Sequence, residues 1–219
     1  MIHPPLLASG EAFLHFAVDE RILLFGDFIT KAGRRTPYFF NAGLFNSGRT
    51  IARLAHFYAD TLQGSGLAFD MIFGPAYKGI PLAVATAMAL YERHERDIPY
   101  AFNRKTAKDH GEGGVLIGAP LNGRVLIIDD VISAGTSIRE SIKLIQTAGA
   151  QPAGVIIALD RQERGVGDSC ALREIEETYN IPVLAIARLV DLLSLLEKKP
   201  EHAALCAAIR EYRQRYGTP

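Results

Sequence analysis

The residues best suited to chemistry in this chain are Asp129 and Asp130. These two adjacent carboxylates follow four apolar residues, Val125 to Ile128, and precede Val131, Ile132, Ser133, Ala134, Gly135, Thr136 and Ser137. Four consecutive apolar residues read as a buried central strand, and the small-residue turn after them reads as the opening of a helix. Such a turn presents backbone N–H groups, hydroxyls and the positive end of a helix, which together make an anion cradle of phosphate size. Carboxylates at the carboxyl end of the strand can hold sugar hydroxyls or orient the water shell of Mg2+. The competing reading is a helix capped by Ser133 or Thr136 beside two solvated acids. Attachment of the turn to a buried strand favours the cradle.

Other segments carry weaker signals. Gly74-Pro75-Ala76-Tyr77-Lys78-Gly79 follows an apolar run and precedes helical spacing, so its small residues would let the backbone approach a pyrophosphate while Lys78 adds charge. A tight turn with an exposed lysine is the alternative. Between 104 and 118, Arg104, Lys105, Lys108 and His110 are interleaved with Asp109, Glu112 and glycines. This segment reads as too polar to pack: either a solvated loop or a lid whose cations close over a polyanion. Arg161, taken alone, reads as a surface arginine. His3, His15, His56, His94 and His202 form no ligand-spaced set, and Cys170 and Cys206 belong to no Cys-x-x-Cys, so both cysteines read as packing residues. No Ser-His-Asp or Cys-His arrangement suggests a covalent nucleophile.

These groups need a scaffold, and apolar periodicity supplies its outline. Helical spacing runs over 6–24, two β-prone runs at 25–29 and 38–41 flank the basic tip Lys31-Ala32-Gly33-Arg34 as a hairpin, and a helix covers 47–63. Strand candidates at 71–73, 100–102, 125–128, 155–159 and 183–186 then alternate with helices at 80–93, 136–147, 171–179, 189–197 and 202–216. This alternation predicts an α/β fold, a central mostly parallel sheet flanked by helices on both faces. Ligands of such sheets sit outside the carboxyl ends of the strands.

Composition sets outer limits. The chain has 219 residues, with 24 basic and 24 acidic side chains and 48% hydrophobic residues. Zero formal charge argues against bulk electrostatics toward nucleic acid or an anionic membrane, and the apolar content argues against disorder. No run approaches the ~18 to 20 apolar residues that cross a bilayer. The expectation is a cytoplasmic protein with neither a nucleic-acid nor a membrane partner.

The segment Val125 to Ser137 resembles the phosphoribosyl pyrophosphate signature of the type I phosphoribosyltransferases. The segments at 38–43, 73–81, 103–114 and 159–165 resemble, in order and nearly end to end, the bacterial orotate phosphoribosyltransferases. The resemblance implies the type I fold as a single compact unit: N-terminal helices and a β-hairpin hood at 1–66, and a core at 67–219 with a mobile loop at 104–118. It implies transfer of a 5-phosphoribosyl group from phosphoribosyl pyrophosphate to orotate, giving orotidine 5′-monophosphate and pyrophosphate in de novo UMP synthesis. It further implies a homodimer sharing the 104–118 loop across subunits. Mg2+ is the implied cofactor, with no direct protein ligand: substrate and water mainly hold it, and Asp129 or Asp130 are the protein groups implied to reach it.

By the same resemblance Lys108, His110, Asp129 and Asp130 are catalytic. Lys31, Tyr77, Lys78, Arg104, Lys105, Lys108, His110 and every residue from Asp129 to Ser137 bind phosphoribosyl pyrophosphate. Phe39, Phe40, Ser133 and Arg161 bind orotate, Arg161 matching the carboxylate of the base. Adjacent strand residues face opposite ways, so only one of Phe39 and Phe40 would stack on the ring. Close relatives usually have Thr at the place of Ser133, and serine keeps the hydroxyl and loses the methyl. A non-catalytic regulator on the same fold would lack the loop cations or carry a DNA-binding segment. A receiver domain would lack the Gly-Thr-Ser turn. A purine-specific sister enzyme would share the cradle.

Overall fold

The structure, a computed structural model, describes residues 8–30, 33–108, 114–164 and 170–218. The chain opens with helix α1 (Ala8–Asp19) and an antiparallel hairpin of β1 (Leu23–Ile29) and β2 (Arg35–Phe40). The helix expected over 6–24 stops early, because Arg21 takes a positive φ of 55° and the amide of Ile22 turns back to the carbonyl of Ala17 at 2.8 Å. Ile22 and Leu23 are buried all the same, but from the hairpin side. Helix α2 (Gly48–Ser65) begins at a capping box in which Ser47 and Thr50 each bond the other's amide at 3.2 Å, and it ends at Gly66 in the left-handed region.

The main sheet is built from β3 (Met71–Gly74), β4 (Tyr100–Lys108), β5 (Gly114–Gly118), β6 (Arg124–Asp129), β7 (Gln151–Asp160) and β8 (Val183–Arg188). Around it lie α3 (Gly79–His94), α4 (Thr136–Thr147), α5 (Ala171–Tyr179), α6 (Leu189–Leu196) and α7 (Ala203–Tyr216). The strand order is β5-β4-β3-β6-β7-β8, with every pairing parallel except β4 with β5. The sheet is therefore mostly parallel and covered by helices, as the alternation of elements predicts.

Side-chain alternation divides the interior in two. Ile72, Leu126, Ile128 and Ile156 enter one cluster with residues of α1, α2, α3, α6 and α7, while Met71, Val125, Ile127 and Val155 enter another with residues of α4 and α5. Leu23, Tyr38 and Phe40 of the hairpin belong to the first cluster, so the hood and the sheet share one core. Among the described residues no helix is long and apolar enough to cross a membrane.

The segment 104–118 departs from its reading as an unpacked loop. Its described parts continue β4 to Lys108 and return as β5, pairing Asn103 with Leu116 and Lys108 with Gly114 around an irregularity. An edge hairpin lets polar side chains face solvent while Leu116 packs into the second cluster, a combination that composition alone reads as a loop. His110, like Lys31 at the hood tip, lies outside the described residues.

The chain leaves β3 toward β4 on one side and resumes at β6 on the other. Strand order thus reverses between β3 and β6, which opens a crevice at their carboxyl ends.

Candidate active site

Both walls of that crevice come from strand ends. On the β6 side the main chain of the acid pair is pinned from beneath: the buried Tyr58 hydroxyl donates to the Asp129 carbonyl at 2.8 Å, and the Ala158 amide donates to the Asp130 carbonyl at 2.9 Å. The carboxylates are fixed in turn. Asp129 Oδ1 accepts from the Asp130 amide and Asp130 Oδ1 from the Val131 amide, both at 2.9 Å, and Asp130 Oδ2 takes Lys78 Nζ at 2.5 Å. Burial, followed by the neighbouring Asp130 charge, pushes the Asp129 carboxyl up to about 7.

After the acids the chain turns into α4 through Gly135, whose φ of 73° suits glycine. No side chain caps this helix at its N-cap Gly135, so its first amides are left for a ligand rather than for Ser133 or Thr136. Arg139 braces the turn from behind, donating to the Ala134 carbonyl at 2.6 Å and to Glu174 Oε2 at 2.8 Å.

The opposite wall is the turn between β3 and α3. A Cβ on Gly74 would lie 2.1 Å from the Gly79 carbonyl oxygen, and one on Gly79 would lie 2.6 Å from Pro75 Cδ. Two glycines are what allow this turn to close so tightly. The Ala76 amide donates to Asn103 Oδ1 at 2.9 Å, tying the turn to the neighbouring strand β4. The Ala76–Tyr77 peptide is cis.

Between the walls lies a cavity of about 440 Å3 lined by Pro75, Ala76, Tyr77 and Lys78 on one side and by every residue from Asp129 to Ile138 on the other. It brings together Tyr77, Lys78, Asp129, Asp130, Val131, Ile132, Ser133, Ala134, Gly135, Thr136 and Ser137, all of which the sequence marks as site residues. A larger cleft of about 560 Å3 between the hairpin and α7 contains none of them.

The remaining candidates are distributed differently. Lys105 does not line the cavity, but its ammonium lies 4.7 Å from the centre of the ring of Tyr77, which does. Arg104 is half-buried on β4, and Lys108 closes that strand, its side chain being outside the described residues. Phe39 is exposed and lies 5.6 Å from Phe28, whereas Phe40 is buried against Phe13 and Phe45. Strand alternation thus turns the Phe40 ring into the core and leaves Phe39 facing outward, as adjacent strand residues must. Arg161 is not a surface residue; it is largely buried beside Glu163 at the end of β7 and does not line the cavity.

Sequence reasoning gave no role to Asn103, Tyr58 or Arg139. Asn103 opens the Asn-Arg-Lys run, and Tyr58 falls on the apolar stripe of α2, where it reads as core. Among the described residues no group of three or more Asp, Glu, His or Cys is placed to hold a metal, and the cavity offers two carboxylates. That donor set fits Mg2+, which typically takes one or two carboxylates and completes its shell with phosphate oxygens and water.

Comparison with known proteins agrees with this geometry. The family model described as phosphoribosyl transferase domain matches residues 44–182. The orotate phosphoribosyltransferase of Chromobacterium violaceum is 62% identical over 205 residues, which are 94% of this chain and 95% of that protein. That of Serratia proteamaculans is 58% identical over 210 residues, 96% of this chain and 99% of the relative. The crystal structure of orotate phosphoribosyltransferase from Francisella tularensis superposes with a TM-score of 0.87 at 40% identity, covering 94% of this chain and 100% of the other. Leishmania donovani UMP synthase, at 22% identity and a TM-score of 0.72 over 94% of this chain and 42% of its own, shares the fold.

Proposed function

This chain belongs to the phosphoribosyltransferase family, among its orotate phosphoribosyltransferases, and on that premise we propose that it joins the 5-phosphoribosyl group of phosphoribosyl pyrophosphate to N1 of orotate. Orotate releases its N1 proton to solvent, the N1–C1 bond forms with inversion as the C1–oxygen bond to pyrophosphate breaks, and the products are orotidine 5′-monophosphate and pyrophosphate. One observation carries the reading. An acid pair at the end of β6 stands beside an uncapped helix N-terminus and across a cavity of about 440 Å3 from a glycine-hinged turn bearing a lysine.

Each part has work suited to that transfer. The amides and hydroxyls of 131–137 hold the 5′-phosphate, and Asp129 and Asp130 take the ribose hydroxyls. Tyr77, Lys78 and the backbone of the 75–78 turn receive the pyrophosphate, with Arg104, Lys105, Lys108 and His110 adding charge. Lys31 of the hood, with Phe39, Phe40, Ser133 and Arg161, defines the base side. Catalysis then consists of alignment, neutralisation of the leaving group and exclusion of water from an oxocarbenium-like centre, with no covalent nucleophile. Mg2+ bound with the diphosphate supplies further charge neutralisation, and Asp129 or Asp130 would contact its water shell. On this reading the enzyme is a cytoplasmic homodimer whose 104–118 segments serve the neighbouring active site.

The test is a spectrophotometric assay of orotate consumption with phosphoribosyl pyrophosphate and Mg2+, repeated with uracil, adenine and hypoxanthine. Consumption of orotate alone is expected. Turnover of a purine in preference to orotate would refute the assignment.

A further inference from the structure

Arg161 is the residue that the function assigns to the orotate carboxylate, yet its position is set by groups that the function leaves unused. It begins the loop after β7, and Glu163 occupies one edge of its guanidinium: Nε donates to Glu163 Oε1 at 2.8 Å, and Nη2 lies 2.7 Å from the same oxygen. Two phenols converge on that oxygen as well, Tyr212 of α7 at 2.9 Å and Tyr38 of β2 at 3.2 Å. The guanidinium lies over the Tyr38 ring, 4.9 Å from its centre, and the Tyr38 and Tyr212 rings meet edge to face at 6.0 Å. Burial pushes the Tyr212 phenol up to about 12 and raises that of Tyr38 further, so both remain hydrogen-bond donors.

The loop carrying Arg161 is itself clamped. The Gln162 amide donates to Asp160 Oδ1 at 2.8 Å, and Gln162 Oε1 accepts from the Val190 amide at 3.0 Å. The Arg164 amide pairs with the Tyr216 carbonyl at 2.8 Å, and the Thr218 amide with the Gln162 carbonyl at 3.0 Å. Glu163 thus takes Nε, while Nη2, though close to the same oxygen, is buried without a hydrogen-bond partner, so the Nη side of the fork is what remains to meet a carboxylate. Recognition by a planar fork depends on its angle, so whatever fixes the guanidinium plane also fixes the selectivity.

We propose that Glu163, held by Tyr38 and Tyr212, is a positioning residue for Arg161, and that through it the C-terminal helix α7 sets the preference for a carboxylated pyrimidine. The proposal rests on the orotate reading above and adds to it a residue and an element that do not touch the substrate.

The test compares the affinities of orotidine and uridine 5′-monophosphates, which differ only in the base carboxylate, by calorimetry on the full chain. The unsubstituted protein should prefer the carboxylated nucleotide by on the order of a hundredfold. Glu163→Gln, which keeps the shape and one acceptor oxygen, should narrow that gap by about tenfold while the affinity for uridine 5′-monophosphate holds steady. Tyr212→Phe should narrow it by about threefold, and it carries the test alone should the Gln variant not fold. In an Arg161→Leu background neither substitution should change the gap further. Equal losses for both nucleotides, or an undiminished gap in Tyr212→Phe, would overturn the proposal. Absence of any preference in the unsubstituted protein would instead overturn the orotate assignment.

Discussion

Lys78 Nζ donates to Asp130 Oδ2 at 2.5 Å across the mouth of the cavity, although the lysine side chain is 61% exposed and that of the aspartate only 9%. A nearly buried carboxylate thus draws its partner from the solvent-facing side of the crevice. The same cation is the one suited to a pyrophosphate. On the proposed function, pyrophosphate binding would exchange one anionic partner of Lys78 for another instead of recruiting a free charge.

Replacing that lysine should be costly for the donor substrate. Lys78→Ala is expected to raise the KM for phosphoribosyl pyrophosphate by about tenfold, the worth of one charge-assisted hydrogen bond, and to leave the KM for orotate near its original value. Steady-state kinetics in both substrates decides it; a parallel rise in both constants would count against a specific role.

Asp129 ties stability to pH. Its folded value of about 7 lies above the ordinary 3.8, so its contribution is fully present below about pH 4 and is lost as pH rises through about 7. Asp129→Asn cannot ionise and escapes that loss. Its stability relative to the unsubstituted protein should improve between pH 5 and pH 8, by on the order of 1–3 kcal/mol. Chemical denaturation at the two pH values measures the difference, and a constant offset would contradict the prediction.

Asn103 acts on the 75–78 turn from a neighbouring strand. Because its Oδ1 accepts the Ala76 amide at 2.9 Å, Asn103→Ala leaves that amide without its partner. A roughly threefold to tenfold weakening of phosphoribosyl pyrophosphate binding should follow, with little change in binding of the base. Asn103→Asp, which keeps an acceptor, should recover part of it.

Gly74 tolerates no side chain. An added Cβ would sit 2.1 Å from the Gly79 carbonyl oxygen and 2.9 Å from the Ala83 Cβ, so the turn or α3 would have to shift. Gly74→Ala should destabilise the fold by about 2 kcal/mol or more. A melting curve within a degree of the original would show that the turn is slacker than this.

Lys108 offers a test of leaving-group chemistry. If it acts as pyrophosphate departs, Lys108→Ala should reduce kcat by about a hundredfold while affinity for the nucleotide product changes far less. Equal losses would make it a binding residue alone.

The parts of this site that can be read from the sequence are the local ones. Asp129 through Ser137 form a contiguous strand, turn and helix start, so apolar run, acids and glycine announce the cradle in order. The bond from Ala76 to Asn103 could not be read that way, since it depends on β4 lying beside β3. Nor could the convergence of Tyr38 and Tyr212 on Glu163, which spans most of the chain. Phe39 and Phe40 show the limit within a single strand: alternation says that they face opposite ways, but only the packing of Phe13 and Phe45 says which one is buried. The β4–β5 hairpin was hidden by its composition, because an edge ribbon can be polar and glycine-rich without being irregular.

On the proposed function, the ends of β3 and β6 would hold the phosphoribosyl pyrophosphate, while Arg161 hangs from β7 beside groups supplied by the distant helix α7. An ancestral scaffold of this design could exchange the nucleobase it accepts by altering the second region while the first stayed intact. New specificities would then arise by changing a region beside the cavity, not by rebuilding the machine.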